Sequence, residues 1–190
     1  MISKRVKLDA DPQFDQRLEE IIKLVKEFGD FAGKQMRKVT GAIAVQVLRQ
    51  HLDRNGVSVS DHDVFIKGIP IELDLVVPRR EAELECGILY RPQDVAAVLE
   101  VKYSGIYSKE SLAAIKKNFD YIREKHQHIC CTCVVVLERE SFPNKATEAN
   151  LGHPVHTLHW WSGRRENAKQ TGEWETLLTR LQGAYQKLDN

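Results

Sequence analysis

The residues of this chain that could do chemistry fall on two short apolar runs. One is Ile71-Glu72-Leu73-Asp74-Leu75-Val76-Val77; the other, Val95 to Tyr103, reads VAAVLEVKY. Gly68-Ile69-Pro70 leads into the first and Pro78 ends it, while Ser104-Gly105 breaks the second, so both read as strands. Residues two apart in a strand point the same way. Glu72, Asp74 and Val76 then share one face, with Ile71, Leu73 and Leu75 on the core face. On the second strand Val98, Glu100 and Lys102 oppose Leu99, Val101 and Tyr103. A charge buried in such a strand costs several kcal/mol unless something neutralises it. If the strands are neighbours joined by the polar connection 79–94, Asp74 and Glu100 approach closely enough to hold a hard divalent cation such as Mg²⁺, whose ligands are carboxylate oxygens and water. Lys102, about 7 Å further along the same face at ~3.3 Å per residue, is placed to orient or help deprotonate an attacking water, or to stabilise charge developing on a phosphoryl group.

The elements that position these residues follow from the periodicity. Asp11 as N-cap, Pro12 at the first helical position and apolar Phe14, Leu18, Ile21, Ile22, Val25 and Phe28 predict a helix ending near Gly29. A second helix is expected from about Phe31 to Leu52, closed by Asn55-Gly56; a break at Thr40-Gly41 is left open. Short strand pieces at Val57, Val59 and Val64 to Ile66 precede the first motif strand. After the second come a helix over 108–124, a buried strand over 129–137, a strand around 155–161 and a final amphipathic helix carrying Trp174, Leu177, Leu178, Leu181 and Tyr185. The order α-α-β-β-β-α-β-β-α implies an α/β fold, a mixed sheet with helices packed on it.

Composition narrows the classes. The chain has 190 residues, 42% hydrophobic and 29% charged, enough for one globular unit at ~150 residues per domain and able to bury a core without disulfides. The 28 Lys+Arg and 27 Asp+Glu leave a net charge of +1, which excludes a highly basic nucleic-acid coat but permits a local basic groove. No stretch approaches the ~18 apolar residues of a membrane span, and no secretory h-region is present, so a cytoplasmic protein without a membrane partner is expected. Three of the four cysteines crowd into an apolar run, Cys130-Cys131-Thr132-Cys133. They read as small buried hydrophobes of a reduced compartment rather than as metal ligands with Cys86, because residues 130 and 131 of a strand point oppositely.

Asp74 followed by Glu100-Val101-Lys102, on successive strands after a helix and before a helix-strand pair, resembles the PD-(D/E)XK nuclease superfamily, the restriction-endonuclease-like fold. The resemblance spans roughly Gly41 to Leu137, about half of the chain. It implies a single domain over 1–190: a helical N-terminal addition over 1–40, a motif-bearing core over 41–137, and a C-terminal strand and helix over 138–190. It further implies that Asp74, Glu100 and the backbone carbonyl of Val101 ligate Mg²⁺, with Mn²⁺ as substitute, that Lys102 acts on the water, and that the substrate is a phosphodiester of DNA. The activity implied is that of a Mg-dependent endodeoxyribonuclease of restriction or repair, expected as a homodimer where both strands of a duplex are cut. Two positions depart from the family pattern. Leu73 stands where a proline is common, and Gln46 stands where the preceding helix often brings a glutamate. An amide can accept a hydrogen bond from a metal-bound water but carries no charge; Glu72 could supply the missing carboxylate.

Arg79, Arg80 and Lys109 flank the ends of the motif strands and are the candidate DNA contacts. His153, His156 and His159 invite a zinc reading, but a period of three does not keep them on one face of a strand, so they read as structural or surface histidines. Trp160, Trp161 and Trp174 read as core rather than as base-stacking platforms. Two other readings of the acidic pair and Lys102 remain: a catalytically weak nucleic-acid-binding or assembly module of the same fold, and a structural salt bridge.

Overall fold

The computed structural model describes residues 32–60, 64–79, 81–102, 108–136, 144–158 and 173–188. The helix expected over 11–29 and much of the expected N-terminal addition lie outside them. The chain divides into two compact units, Met1–Ile43 and Ala44–Asn190, so the boundary falls within the first described helix, α1 (Ala32–Arg54). That helix runs unbroken through Thr40-Gly41. It ends as the Asn55-Gly56 pair requires: the Gly56 N–H bonds to the Asp53 carbonyl, the Val57 N–H to the Leu52 carbonyl at 2.9 Å, and Gly56 takes the left-handed conformation at φ 76°, the Schellman arrangement that glycine permits without strain.

Two sheets follow. The smaller contains β1 (Val64–Ile66), β2 (Ile69–Leu73) and β4 (Leu89–Tyr90) in the order β2-β1-β4; β1 and β2 pair antiparallel around Gly68. The larger contains β3 (Leu75–Pro78), β5 (Val95–Lys102), β6 (Cys131–Val136) and β7 (Val155–Thr157) in that order. There β3 is antiparallel to β5, while β5, β6 and β7 are mutually parallel, and parallel neighbours need helical crossovers. Helix α2 (Lys109–Lys125), capped by the Ser108 hydroxyl accepting from the Ser111 N–H at 3.0 Å, connects β5 to β6, and α3 (Asn144–Leu151) connects β6 to β7. The closing helix is α4 (Glu173–Leu188).

The larger sheet is covered on both faces. Val76, Val98, Val134, Val136 and Val155 pack in one cluster with Ile115, Phe119 and Ile122 of α2, and α4 lies against β5, β6 and β7. Burial on both faces explains why β3, β5 and β6 are nearly continuous apolar runs rather than alternating ones. No described helix is long and apolar enough to cross a membrane.

Several expectations need correction. The strand expected over Ile71 to Val77 is two strands, broken at Asp74, with β2 in one sheet and β3 in the other. Leu73 and Leu75 are both buried, each in its own sheet, so the apolar pattern continues across a change of partner. Consequently Glu72, exposed on β2, does not share a continuous strand face with Asp74. The polar connection 79–94 contains β4 and a 3₁₀ turn, Pro92–Asp94, and α3 was not anticipated; its eight residues bury only Thr147 and Leu151 of the described side chains, too few to show a helical period. Val57 and Val59 lie in no strand.

Candidate active site

The break at Asp74 is what builds the site. Val76 turns both its backbone groups away from β5: its N–H donates to Ser60 Oγ at 2.9 Å and its carbonyl accepts the Ser60 N–H at 2.7 Å. In an antiparallel ladder the bonded pairs alternate, so Leu75 and Val77 are the residues facing Leu99 and Ala97, and the next β5 N–H aimed at this edge is that of Val101. Here β3 has already ended. Asp74 Oδ2 takes the place of the missing ladder carbonyl, accepting the Val101 N–H at 2.7 Å. The bond bridges 27 positions of sequence and fixes the carboxylate one step beyond the Leu75–Leu99 pair, opposite Glu100.

Glu100 forms an ion pair with Lys102 on the same face of β5. Their side chains are 22% and 34% exposed, closed enough to interact and open enough to meet a ligand. Burial first, and the neighbouring Asp74 carboxylate second, push the Glu100 carboxyl above its ordinary value, with Lys102 acting in the opposite direction. A carboxylate whose proton affinity is raised by a neighbouring carboxylate suits a cation. Among the described residues no group of three His, Cys, Asp or Glu side chains assembles, so the protein would offer two carboxylates and the Val101 carbonyl, leaving other positions to water or phosphate. That donor set fits Mg²⁺ or Mn²⁺, hard ions that retain water and share substrate oxygens.

The direction of the Glu100 shift makes a testable forecast. A proton and a cation compete for the same carboxylate, so the acid limb of any cleavage profile should lie above the ordinary carboxylate range and move to lower pH as Mg²⁺ is raised. A limb that ignores the Mg²⁺ concentration contradicts the assignment. For stability, a carboxyl raised in the folded state contributes stabilisation that is present at low pH and lost as pH rises through its folded value. Glu100→Gln in chelator at neutral pH should therefore melt no lower than wild type.

The other candidate residues are placed less tightly. Gln46 is half-buried on α1, and no hydrogen bond to Asp74, Glu100 or Lys102 joins it among the described residues. Arg79 flanks the far end of its motif strand. It follows the last residue of β3, its N–H bonded to the Asp94 carbonyl at 2.8 Å, at the end opposite Asp74 and about 17 Å away at ~3.4 Å per residue. Arg80 lies outside the described residues. Lys109 is exposed at the first position of α2, the helix that follows the Glu100–Lys102 end of β5.

Each histidine of the expected trio that is described serves a tie of its own. His153 bridges Thr132 Oγ1, 2.8 Å from Nδ1, and Asp120 Oδ1, 3.0 Å from Nε2; His156 Nδ1 lies 3.2 Å from Glu173 Oε2. His159, Trp160 and Trp161 lie outside the described residues. Cys131 and Cys133 are buried on β6, whereas Cys86 is exposed in a turn of the other sheet at φ 53°, so no four-cysteine cluster forms. Trp174 is buried edge-on against His51 and offers no face to a base. The residue that sequence reasoning missed is Ser60, one polar residue in the run Ser58-Val59-Ser60-Asp61, with no local signal to single it out.

No family model and no curated protein matches the chain. Among solved structures it is similar to NucC of P. aeruginosa ATCC27853 in its cAAA-bound form, with a TM-score of 0.54 and 16% identity over 94% of this chain and 96% of that one. It is also similar to NucC of E. coli MS115-1 in its cAAA-bound form, with a TM-score of 0.53 and 15% identity over 99% of this chain and 100% of that one. The apo form of the E. coli protein gives a TM-score of 0.51 at 15% identity, over 90% of this chain and 98% of that one. At such identities the likeness is one of fold, and the fold is the mixed α/β, restriction-endonuclease-like fold.

Proposed function

We propose that this chain is a Mg²⁺-dependent DNA endonuclease, with Mn²⁺ as a working substitute, acting in restriction or repair. The observation that carries the proposal is the bond from the Val101 N–H to Asp74, which sets one carboxylate opposite a second whose own partner is Lys102. Asp74 is held in aim by the Val101 N–H, and Glu100 shares the negative charge of the site. The Val101 carbonyl is the third oxygen on offer. A divalent cation bound there supplies Lewis acidity, favouring hydroxide over water and offsetting charge on the phosphoryl oxygens. Lys102 orients the attacking water and donates to the charge that develops at phosphorus as the 3′ oxygen leaves. Lys109, on the helix that follows, contacts the flanking phosphate backbone, where a lysine acts as a point charge. Severing both strands of a duplex requires two such sites, which a two-fold homodimer provides.

A second reading, a nucleic-acid-binding module of the same fold with weak or no catalysis, is favoured by one observation: the helix position where a carboxylate is usual carries the Gln46 amide, with no hydrogen bond to the acidic pair. A gel-shift experiment separates the two. Duplex DNA is first mixed with protein in chelator, then given excess Mg²⁺. An enzyme converts the DNA to shorter fragments after Mg²⁺ is added. A binding module leaves the retarded complex intact, and a purely structural domain shows no retarded complex and no fragments.

A further inference from the structure

We propose that Ser60 is a positioning residue of this site, holding β3 from the side opposite β5 and thereby fixing the aim of the Asp74 carboxylate. The inference rests on the nuclease reading above and adds a residue to it.

The reason lies in how β3 is hydrogen-bonded. It is an edge strand of four residues, and the chain enters it at Asp74 directly from the other sheet, so the larger sheet gives it no support upstream. On its inner side the ladder reaches it through Leu75 and Val77. A strand bonded along one side only can roll about that line, and a roll swings the Asp74 side chain relative to Val101. On the outer side Ser60 brackets the strand: its N–H donates to the Val76 carbonyl at 2.7 Å and its Oγ accepts the Val76 N–H at 2.9 Å. Ser60 is 2% exposed and Val76 fully buried, so water does not replace a lost bond, and a stranded buried donor is strongly disfavoured. Val76 is two residues from Asp74, one strand period, so a bracket on its backbone sets the same orientation of chain that Asp74 inherits.

The bracket is also anchored. Its segment leaves the α1 cap through the Val57–Leu52 bond and is tied to α4 by the Tyr185 hydroxyl, which donates to the Ser58 carbonyl at 2.9 Å. Ser60 therefore presents its hydroxyl from a segment held at two points.

The test is a Mn²⁺ titration of the full chain, followed by calorimetry and by Mn²⁺ electron resonance, below the melting temperature of every variant. Ser60→Ala is expected to weaken Mn²⁺ binding by about tenfold, the lower range for losing a residue that orients a metal ligand, and Ser60→Thr, which keeps the hydroxyl, to restore most of it. Ser60→Cys, with a weak sulfur acceptor, should fall between them and serves if Ser60→Ala does not fold. Leu151→Ala, a destabilising change in α3, controls for stability and should leave Mn²⁺ affinity unchanged. If Ser60→Ala or Ser60→Cys melts lower yet binds Mn²⁺ as wild type does, Ser60 is merely structural and the inference is overturned. If wild type binds Mn²⁺ no better than Asp74→Asn does, the nuclease reading itself fails and takes the inference with it.

Discussion

Lys102→Met should leave DNA affinity nearly intact and lower turnover by ~10²-fold or more, the range for one lost transition-state donor. Methionine keeps most of the aliphatic stem, so packing along β5 changes little, and the side chain lies at a partly exposed position. What disappears is the ammonium. Its loss has a second consequence at Glu100, whose carboxyl is already raised by burial and by Asp74 and is lowered only by Lys102. Without that counter-charge the proton is held to higher pH, so the acid limb of the residual cleavage should move upward relative to wild type. Single-turnover rates over a pH series, with binding measured separately in chelator, check both parts. Unchanged turnover would remove Lys102 from the chemistry, and a large fall in DNA affinity with unchanged single-turnover rate would make it a binding residue.

The second large effect separates a metal site from a salt bridge. Asp74→Asn keeps an amide oxygen able to accept the Val101 N–H, so the ladder bond that positions this residue survives while the charge is lost. This variant should lose cleavage and melt in chelator at the wild-type temperature or above, since repulsion with Glu100 is relieved. It should also lose the stabilisation that Mn²⁺ gives wild type, about 2.7 kcal/mol at a hundred times the dissociation constant. Asp74→Ala behaves differently: it strands the buried Val101 N–H, which should cost about 1–3 kcal/mol with or without metal. A site that is only the structural ion pair of Glu100 and Lys102 forecasts instead that neither wild type nor Asp74→Asn gains stability from Mn²⁺. Melting curves of the three proteins in chelator and in Mn²⁺ distinguish the cases.

How legible these features are in the sequence depends on the range of the interaction that makes them. Glu100 and Lys102 stand out because VAAVLEVKY is otherwise apolar, and a two-residue period puts them on one face whatever the partner strands are. The α1 terminus and the start of α2 are equally local, written in Asn55-Gly56 and in Ser108. The break at Asp74 is not local. Leu73 and Leu75 are buried on either side of it, so the apolar pattern is the one a single strand would show, and only the change of sheet reveals that Glu72 is separated from Asp74. The bond that orients Asp74 comes from Val101, and the bracket that holds β3 comes from Ser60, whose hydroxyl reaches 16 positions to Val76. Neither partner carries a recognisable type.

Cleavage itself is read most directly from supercoiled plasmid incubated with wild type, Asp74→Asn and Glu100→Gln, each with Mg²⁺, with Mn²⁺ and with chelator. The expected result is conversion to nicked or linear DNA by wild type with either cation, none in chelator, and none by either variant under any condition. Plasmid left supercoiled by wild type in both cations, or cut equally by Asp74→Asn, would contradict a metal-dependent nuclease built on Asp74, Glu100 and Lys102.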